Sequence, residues 1–179
     1  DELIFDLDPA DGEFPPVRKA AVKLRELLAE TGLEAFIKTT GSHGVHVLIA
    51  LDRSADFEQV RSFARLAALH LSRANPKEIT IEQRKEKRAG RVYIDTLRNA
   101  YGQTAVSAYS VRARPGAPVS APVEWEEIGA KGFDSRKFNI RNIYRRLDKK
   151  GDPWQKAFHS AFSLRGAAAR LSEIAGGDS

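Results

Sequence analysis

The sequence predicts an α/β sandwich in which helices cover one face of a sheet. Apolar residues occupy alternate positions in several short segments, as in half-buried strands, and repeat at helical spacing in longer ones. The predicted order is strand, helix, two strands, helix and three strands, which favours helices packed on a single sheet face. With 179 residues, 42% of them hydrophobic, the chain is long enough for one domain with its own core.

The predicted strands are short and are separated by turns. The first contains Leu3, Phe5 and Leu7 at every second position and stops at Pro9, which cannot donate to a sheet. Further strands are predicted at residues 35–39, 45–51, 79–82, 91–95 and 104–113. Residues 115–133 are rich in Pro and Gly and are predicted to wrap the surface.

Four helices are predicted, two between strands and two that close the domain. They cover residues 17–30, 57–73, 135–149 and 153–174. Asp56 and Gln59 have the spacing of a capping box for the second helix, and Asp152 precedes the last helix as its cap. We expect residues 1–179 to form one module, with a closing helix and a frayed tail within residues 150–179.

Composition excludes several classes of protein. The chain has no Cys, so a disulfide scaffold and thiolate chemistry are excluded. No apolar run is long enough to cross a bilayer, and no signal pattern precedes the first strand, so we expect a cytoplasmic protein without a membrane partner. The formal net charge of +5 permits a polyanionic partner. The chain starts inside a strand without Met, so we expect sequence ahead of it.

Three acids are the first candidates for chemistry. Asp6 and Asp8 are two residues apart on a strand, so both carboxylates leave the same face and repel unless a cation joins them. Asp95 is placed on the open face of its strand because Val92 and Ile94 suit the buried face. Together the three offer hard oxygen ligands for Mg²⁺ or Mn²⁺ and for two-metal phosphoryl transfer. The alternatives are surface acids at positions 6 and 8 and a turn or cap role for Asp95.

A glycine-rich turn between the second and third strands is a candidate anion site. Gly41 and Gly44 permit a tight turn with outward amide groups, and Thr40 and Ser42 add hydroxyl donors. His46, on the open face of the next strand, would donate to a phosphate oxygen. An ordinary β-hairpin is the alternative interpretation.

Basic residues supply the charge that a triphosphate needs. Arg112 and Arg114 share a face of the predicted strand 104–113 and, with Arg98, create a positive field suited to bidentate phosphate contacts. The run 84–91 holds five cations, a pattern by which nucleic-acid backbones are bound through counterion release. The alternatives are an exposed basic strand and a solvated hairpin turn.

Four of these segments, taken in order, resemble one known family. Residues 5–9, 38–46, 92–99 and 108–115 look like the motifs of the polymerase domain of bacterial ATP-dependent DNA ligase D, in the archaeo-eukaryotic primase superfamily. The resemblance runs from about residue 1 to about residue 147. It implies a primase-like two-layer sandwich with a mostly antiparallel sheet, helices on one face and closing C-terminal helices.

The resemblance also implies an activity and its substrates. Members transfer nucleotides to a primer 3′-hydroxyl during repair of double-strand breaks by non-homologous end joining. The implied substrates are a templated DNA end and an NTP or dNTP, and the implied cofactors are two Mn²⁺ or Mg²⁺ ions. The sequence leaves open whether a ligase domain adjoins this one and whether a Ku-type end-binding protein is a partner. It also leaves open whether ribonucleotides or deoxyribonucleotides are preferred.

Site residues follow from motif position. The implied catalytic metal ligands are Asp6, Asp8 and Asp95. The implied nucleotide-binding residues are Thr40, Ser42, His46, Arg98 and Arg112. The residues expected to bind nucleic acid are Arg84, Lys85, Lys87, Arg88 and Arg114.

Three departures from the family pattern bear on these expectations. His43 stands where members commonly have Lys or Arg, so the charge of the turn is expected to be lower or pH-dependent. Thr40 stands where they have Ser, which keeps the hydroxyl. The N-terminal lobe that members carry ahead of the first strand has no counterpart here, so a segment of a longer domain and a variant without the lobe both stay open.

Two other functions stay open at this point. One is a replicative or plasmid primase of the same superfamily, which would start primers without an existing 3′ end. The other is a non-catalytic nucleic-acid-binding module. In such a module, removing Asp6 and Asp8 would tighten DNA binding by removing repulsion.

Overall fold

The computed structural model describes residues 1–155 and 161–177. Its strands are β1 (Glu2–Asp8), β2 (Phe36–Thr39), β3 (Val45–Ala50), β4 (Ile79–Thr80), β5 (Val92–Asp95) and β6 (Pro122–Val123). Its α-helices are α1 (Phe14–Glu30), α2 (Phe57–Ala74), α3 (Trp125–Ile128), α4 (Ile143–Lys150) and α5 (Leu164–Gly176). Short 3₁₀ turns occur at Lys85–Lys87, Leu97–Asn99 and Pro153–Gln155.

The strands form one sheet in the order β4-β5-β1-β3-β2-β6. All neighbouring pairs are antiparallel except β4 and β5, which run parallel. The first strand of the chain therefore lies at the centre of the sheet, between β5 and β3. The mixed, mostly antiparallel α/β architecture predicted from the sequence is confirmed.

The core lies between one face of this sheet and the helices. Leu3, Phe5 and Leu7 are fully buried in a cluster with the apolar faces of α1, α2 and α5. Burying a side chain of this size contributes roughly 1.5–3 kcal/mol. The expected capping box is present, because Asp56 accepts from the Gln59 amide and Gln59 accepts from the Asp56 amide. None of the helices in the described part of the chain is long and apolar enough to span a membrane.

The predicted strand at 104–113 is wrong. Tyr109 has a φ of 63°, which interrupts an extended backbone, and Val111 makes only an isolated bridge to Val119. The sixth strand comes instead from the Pro/Gly-rich segment, where Val119, Ala121 and Val123 are buried. That segment therefore completes the sheet and the core rather than wrapping the surface.

The closing helices are shorter than predicted. Side chains of Asn139 and Asn142 accept from nearby backbone amides, and such local bonds compete with helix formation, so α4 begins only at Ile143. Asp152 does cap a turn, because its carboxylate accepts from the Trp154 amide, but this turn ends at Gln155. A separate helix, α5, begins after its cap Ser163. Residues 156–160 and 178–179 of the predicted helix and tail lie outside the described residues.

Candidate active site

A row of four polar side chains crosses the open face of the sheet. Strand register places Lys38 opposite His46, His46 opposite Asp6, and Asp6 opposite Asp95. Directly opposed residues of antiparallel strands have Cβ atoms about 4.5–5.5 Å apart, so each side chain neighbours the next. Asp8 follows on the same face, opposite Tyr93. The three acids are thus brought together, while their role as metal ligands stays a prediction.

A cavity of about 480 Å³ opens above this row. Its lining residues are Asp6, Asp8, Thr40, His46, Arg98, Thr104, Ala105, Val106 and Arg112. Asp95 borders the cavity from the next strand without lining it, and one of its oxygens accepts from the Leu97 amide at 2.8 Å. Ser42 is outside the lining too, and its carbonyl accepts from the hydroxyl of Ser135.

Asp6 and His46 form the floor of the cavity. Nε2 of His46 lies 3.4 Å from Oδ2 of Asp6, and the histidine is 2% exposed. Burial raises the pKa of Asp6, but His46, Arg98 and Lys38 together outweigh it and hold that pKa below its ordinary value. Burial lowers the pKa of His46, and its contact with Asp6 opposes this only in part. Near neutral pH the pair is therefore an ionised carboxylate beside a neutral imidazole.

Asp8 is the most perturbed acid of the site. Burial, and then the negative charge of Asp6, raise its pKa to about 6, with a smaller contribution from Asp95. Arg88 and Arg98 oppose the shift without cancelling it. Part of this shift, after the larger effect of burial, comes from neighbouring carboxylates, whose repulsion an added cation would relieve.

The donor set fits a hard divalent cation. Oδ1 of Asp6 is buried and has no hydrogen-bond partner, so one ligand atom is already free and points away from solvent. Carboxylate oxygens are the ligands that Mg²⁺ and Mn²⁺ prefer. Within residues 1–155 and 161–177, no three ligating side chains yet stand close enough together to enclose an ion.

The glycine-rich turn is packed tightly against β1. A Cβ on Gly44 would lie 2.1 Å from the carbonyl oxygen of Leu7, so only glycine allows this approach. Gly41 has a φ of 66°, and a Cβ there would meet the Arg112 side chain. The hydroxyl of Thr40 is used within the turn, where it donates to Gly44 and accepts from the amide of Ser42. The turn is thus rigid, and part of its hydrogen-bonding capacity is already used within the turn.

Two arginines border the cavity on opposite sides. Nε of Arg98 lies 3.6 Å from Oδ2 of Asp6, and Nη1 of Arg98 donates to the Thr104 carbonyl. Nη1 of Arg112 donates to the Thr40 carbonyl at 2.9 Å. Arg112 reaches the cavity from an irregular segment rather than from a strand, whereas Arg114 is exposed outside it. The expected pairing of these two arginines on one strand face is therefore wrong.

Lys38 is a site residue that the sequence reasoning missed. It is 3% exposed, and its ammonium donates to the Val106 carbonyl and the Ser120 hydroxyl. Burial lowers its pKa to about 8, although Asp6 opposes the shift. Through these bonds Lys38 fixes the segment that contributes Thr104–Val106 to the cavity. Its position opposite His46, two residues before Thr40, was the available signal.

Asn99 was also missed. Its side-chain amide donates to the Ile4 carbonyl, and its oxygen accepts from the Ile4 amide, both at 2.8 Å. It therefore continues the β1 ladder where β5 has ended. This anchors the loop that carries Arg98 beside the acids.

The basic run 84–91 connects two parallel strands, so the hairpin interpretation is wrong. Arg88 donates to the carbonyls of Glu82 and Gln83 and lies 4.1 Å above the Tyr93 ring. Arg91 donates to carbonyls within the run. These two arginines thus hold the loop together, while Arg84, Lys85 and Lys87 are exposed.

His43 is exposed at the tip of the turn. Partial desolvation and the nearby charges of Arg136, Arg114 and Lys85 lower its pKa. At neutral pH the turn therefore lacks a positive charge at this position. Cations from three other segments surround it instead.

Comparisons with known proteins agree on one family. The family model of the LigD primase-polymerase domain matches residues 1–154. The multifunctional non-homologous end joining protein LigD of Pseudomonas aeruginosa is 39% identical over 158 residues, which cover 86% of this chain and 19% of that protein. The bifunctional non-homologous end joining protein LigD of Bacillus subtilis is 31% identical over 155 residues, 86% of this chain and 25% of that protein.

A solved structure shows the same fold. The polymerase domain from Mycobacterium tuberculosis ligase D in complex with DNA superposes with a TM-score of 0.83 and 31% sequence identity. The match covers 90% of this chain and 56% of that domain. The chain thus spans about a fifth to a quarter of the curated relatives named above and about half of the solved domain. It belongs to the LigD primase-polymerase domain family.

Proposed function

We propose that this chain catalyses metal-dependent transfer of a nucleotide to a primer 3′-hydroxyl in the repair of DNA double-strand breaks by end joining. The observation that carries the proposal is the register of β5, β1 and β3, which sets Asp95, Asp6 and His46 side by side with Asp8 on the same face. Family membership supports the reaction class. The relatives' names support end joining.

Asp6, Asp8 and Asp95 would hold the divalent ions, with Mn²⁺ or Mg²⁺ as the candidates and two ions in use. The bound ions would polarise the 3′-hydroxyl and offset charge on the departing pyrophosphate. The chain's own part is to present three carboxylates on two adjacent strands. His46 and Arg98 keep Asp6 ionised and fixed in orientation.

The cationic rim would bind and align the triphosphate. Contacts are proposed for Thr40, Ser42, His46, Arg98 and Arg112. Both arginines are anchored by carbonyl oxygens, so their remaining N–H groups face the cavity with restricted freedom. Such preorganised positioning and electrostatics supply most of the rate enhancement in phosphoryl transfer. Residues Arg84, Lys85, Lys87, Arg88 and Arg114 would contact the DNA backbone.

The proposed partners are a DNA end with primer and template, and a nucleoside triphosphate. The DNA in the complex of the M. tuberculosis domain supports the first. Because relatives are multifunctional proteins, an adjoining ligase domain and a Ku-type end-binding protein are natural partners in the same pathway. The proposed location is the bacterial cytoplasm, at the nucleoid.

Primer extension tests the proposal directly. Wild-type chain, Asp8→Ala and Asp95→Ala are compared on a templated 3′ end with Mn²⁺ and nucleotides. Both variants should lose extension by about 10³-fold, because each removes one ligand of a site worth several kcal/mol of transition-state stabilisation. Asp11→Asn, at an exposed acid just beyond β1, is the matched control. Unchanged extension in either ligand variant would contradict the assignment.

A further inference from the structure

Exposed apolar side chains gather at one place on the molecule. Phe57 is 59% exposed and Tyr101 is 85% exposed, and their rings meet edge to face with centroids 5.6 Å apart. Leu97 and Ile81 are also more than a third exposed and belong to the same surface. Single exposed apolar residues need no explanation, but a group of them marks an interaction surface.

Arginines continue this surface along α2. Phe57, Arg61 and Arg65 are four residues apart in sequence, so they form one stripe on the helix. Both arginines are exposed and line a groove of about 240 Å³ together with Leu97 and Ile81. Neither guanidinium has an ion-pair partner within residues 1–155 and 161–177. We call this surface the aromatic–arginine patch: Phe57, Arg61, Arg65, Ile81, Leu97 and Tyr101.

The nearby carboxylates of Glu58 and Glu82 are hydrogen-bonded elsewhere and form no ion pair with the patch arginines in the described part of the chain. Glu58 accepts from the hydroxyl of Ser62 in the first turn of α2. Glu82 accepts from the backbone amide of Arg84. The patch therefore presents aromatic rings beside arginines that are not ion-paired, which suits a polyanion that also carries flat rings.

The patch is next to the candidate active site along the chain. The groove reaches Thr96 and Leu97, directly after Asp95. Tyr101 belongs to the loop between Arg98 and Thr104, and both of those residues line the cavity. A DNA single strand that leaves the cavity over this loop would approach Tyr101, the exposed aromatic residue of the loop.

We propose that the aromatic–arginine patch binds a single-stranded stretch of DNA that continues from the candidate active site. Bases would stack on Tyr101 and Phe57, and phosphates would pair with Arg61 and Arg65. Aromatic platforms combined with cationic tracks are the general means of holding single strands without reading their sequence. The inference rests on the proposed function for its ligand and for the site from which the DNA strand continues.

Fluorescence anisotropy with labelled oligothymidylate, in EDTA, tests the patch apart from catalysis. Tyr101→Ala should weaken binding about tenfold, because stacking of one base is worth roughly 1–3 kcal/mol, and should leave the salt dependence unchanged. Arg61→Gln with Arg65→Gln should weaken binding and make the slope of log K against log salt less steep by about 1.4. An inactive chain still binds in this assay, so failure of nucleotidyl transfer leaves the result interpretable.

Matched controls lie elsewhere on the surface. Tyr144→Ala removes a 75% exposed tyrosine on α4, and Arg73→Gln with Lys77→Gln removes two exposed cations at the other end of α2. Both should change affinity by less than about twofold. Tyr101→Ala is the deciding variant, since its ring is 85% exposed and its loss should leave the circular dichroism spectrum unchanged.

Two outcomes would overturn the proposal. One is equal oligonucleotide affinity in patch variants and controls. The other is a patch-dependent dimer in sedimentation, lost in Tyr101→Ala, without any change in oligonucleotide affinity. The second would assign the patch to a protein partner instead.

Discussion

The two faces of the sheet carry opposite chemistry on the same strands. On β1, Leu3, Phe5 and Leu7 enter the helix-covered core, while Asp6 and Asp8 stand on the open face. The covered face gains stability with each apolar side chain that it buries. The open face buries charged groups, whose pKa shifts at Asp8 and Lys38 record a cost to folding. Apolar burial on the covered face thus stabilises the fold, and part of that stabilisation offsets the cost of burying charged groups on the open face.

Leu3→Ala should produce the largest stability change and separate the two faces. Leu3 is fully buried, and truncation of such a residue costs about 3 kcal/mol. Urea unfolding measures the loss. Because Leu3 points away from the acids, extension per folded molecule should stay at the wild-type level. A variant that keeps its stability but loses activity would break the distinction between the faces.

Lys38→Met tests whether the buried ammonium positions the rim. Loss of its bonds to Val106 and Ser120 should raise the KM for nucleotide about tenfold with a smaller effect on kcat. The free energy of unfolding should change by less than about 1 kcal/mol, because removing a desolvated charge offsets the lost hydrogen bonds. Lys19→Met, at an exposed lysine on α1, is the control. Equal KM values in both variants would contradict a positioning role.

Asp8→Asn should stabilise the metal-free protein while it removes activity. The pKa of Asp8 is raised from 3.8 to about 6, so between these values the folded chain keeps a proton that the unfolded chain has released. The free energy of unfolding therefore falls as pH rises through this window. In EDTA at neutral pH, the variant should gain about 1 kcal/mol, a value reduced by solvent screening. A loss of stability, or an unchanged pH slope between pH 4 and 6, would contradict this.

His43→Arg should have the smallest effect. The pKa of His43 is lowered, so the wild-type side chain is neutral at pH 7 and becomes charged only as pH falls. A permanent charge at this exposed position should lower the KM for nucleotide about two- to threefold, in line with a modest surface electrostatic term. The difference between variant and wild type should shrink at lower pH. Steady-state kinetics across pH values measures this, and equal KM values at pH 7, or a difference that does not change with pH, would contradict contact between the turn and the triphosphate.

The covered face was predictable because one local rule governs it. Period-two alternation on β1, β3 and β5 assigned every second residue to the core, and the same rule placed the acids on the other face. The spacing of polar residues alone left open the alternative that Asp6 and Asp8 are ordinary surface acids. Only the order of the four motifs along the chain favoured an active site. What brought Asp95 beside Asp6 is strand order, a long-range property that no local pattern contains.

The irregular parts could not be predicted in the same way. The segment that carries Arg112 looked extended, yet the positive φ of Tyr109 and its pairing with residues 118–120 are set by tertiary contacts. Lys38 appeared to be an ordinary strand lysine until Val106 and Ser120, more than 60 residues away, enclosed its ammonium. The Asn99 side chain pairs with the Ile4 backbone in place of a strand residue, and this role depends on where β5 ends. That residues 1–179 act as a single module stays a prediction.

A crystal structure with Mn²⁺ and a non-hydrolysable nucleotide is the most direct test of the account. Anomalous density should place manganese between the carboxylates of Asp6, Asp8 and Asp95, with the triphosphate against Arg98 and Arg112. Manganese bound elsewhere, with Asp95 still turned to the Leu97 amide and Asp8 without a ligand, would contradict it.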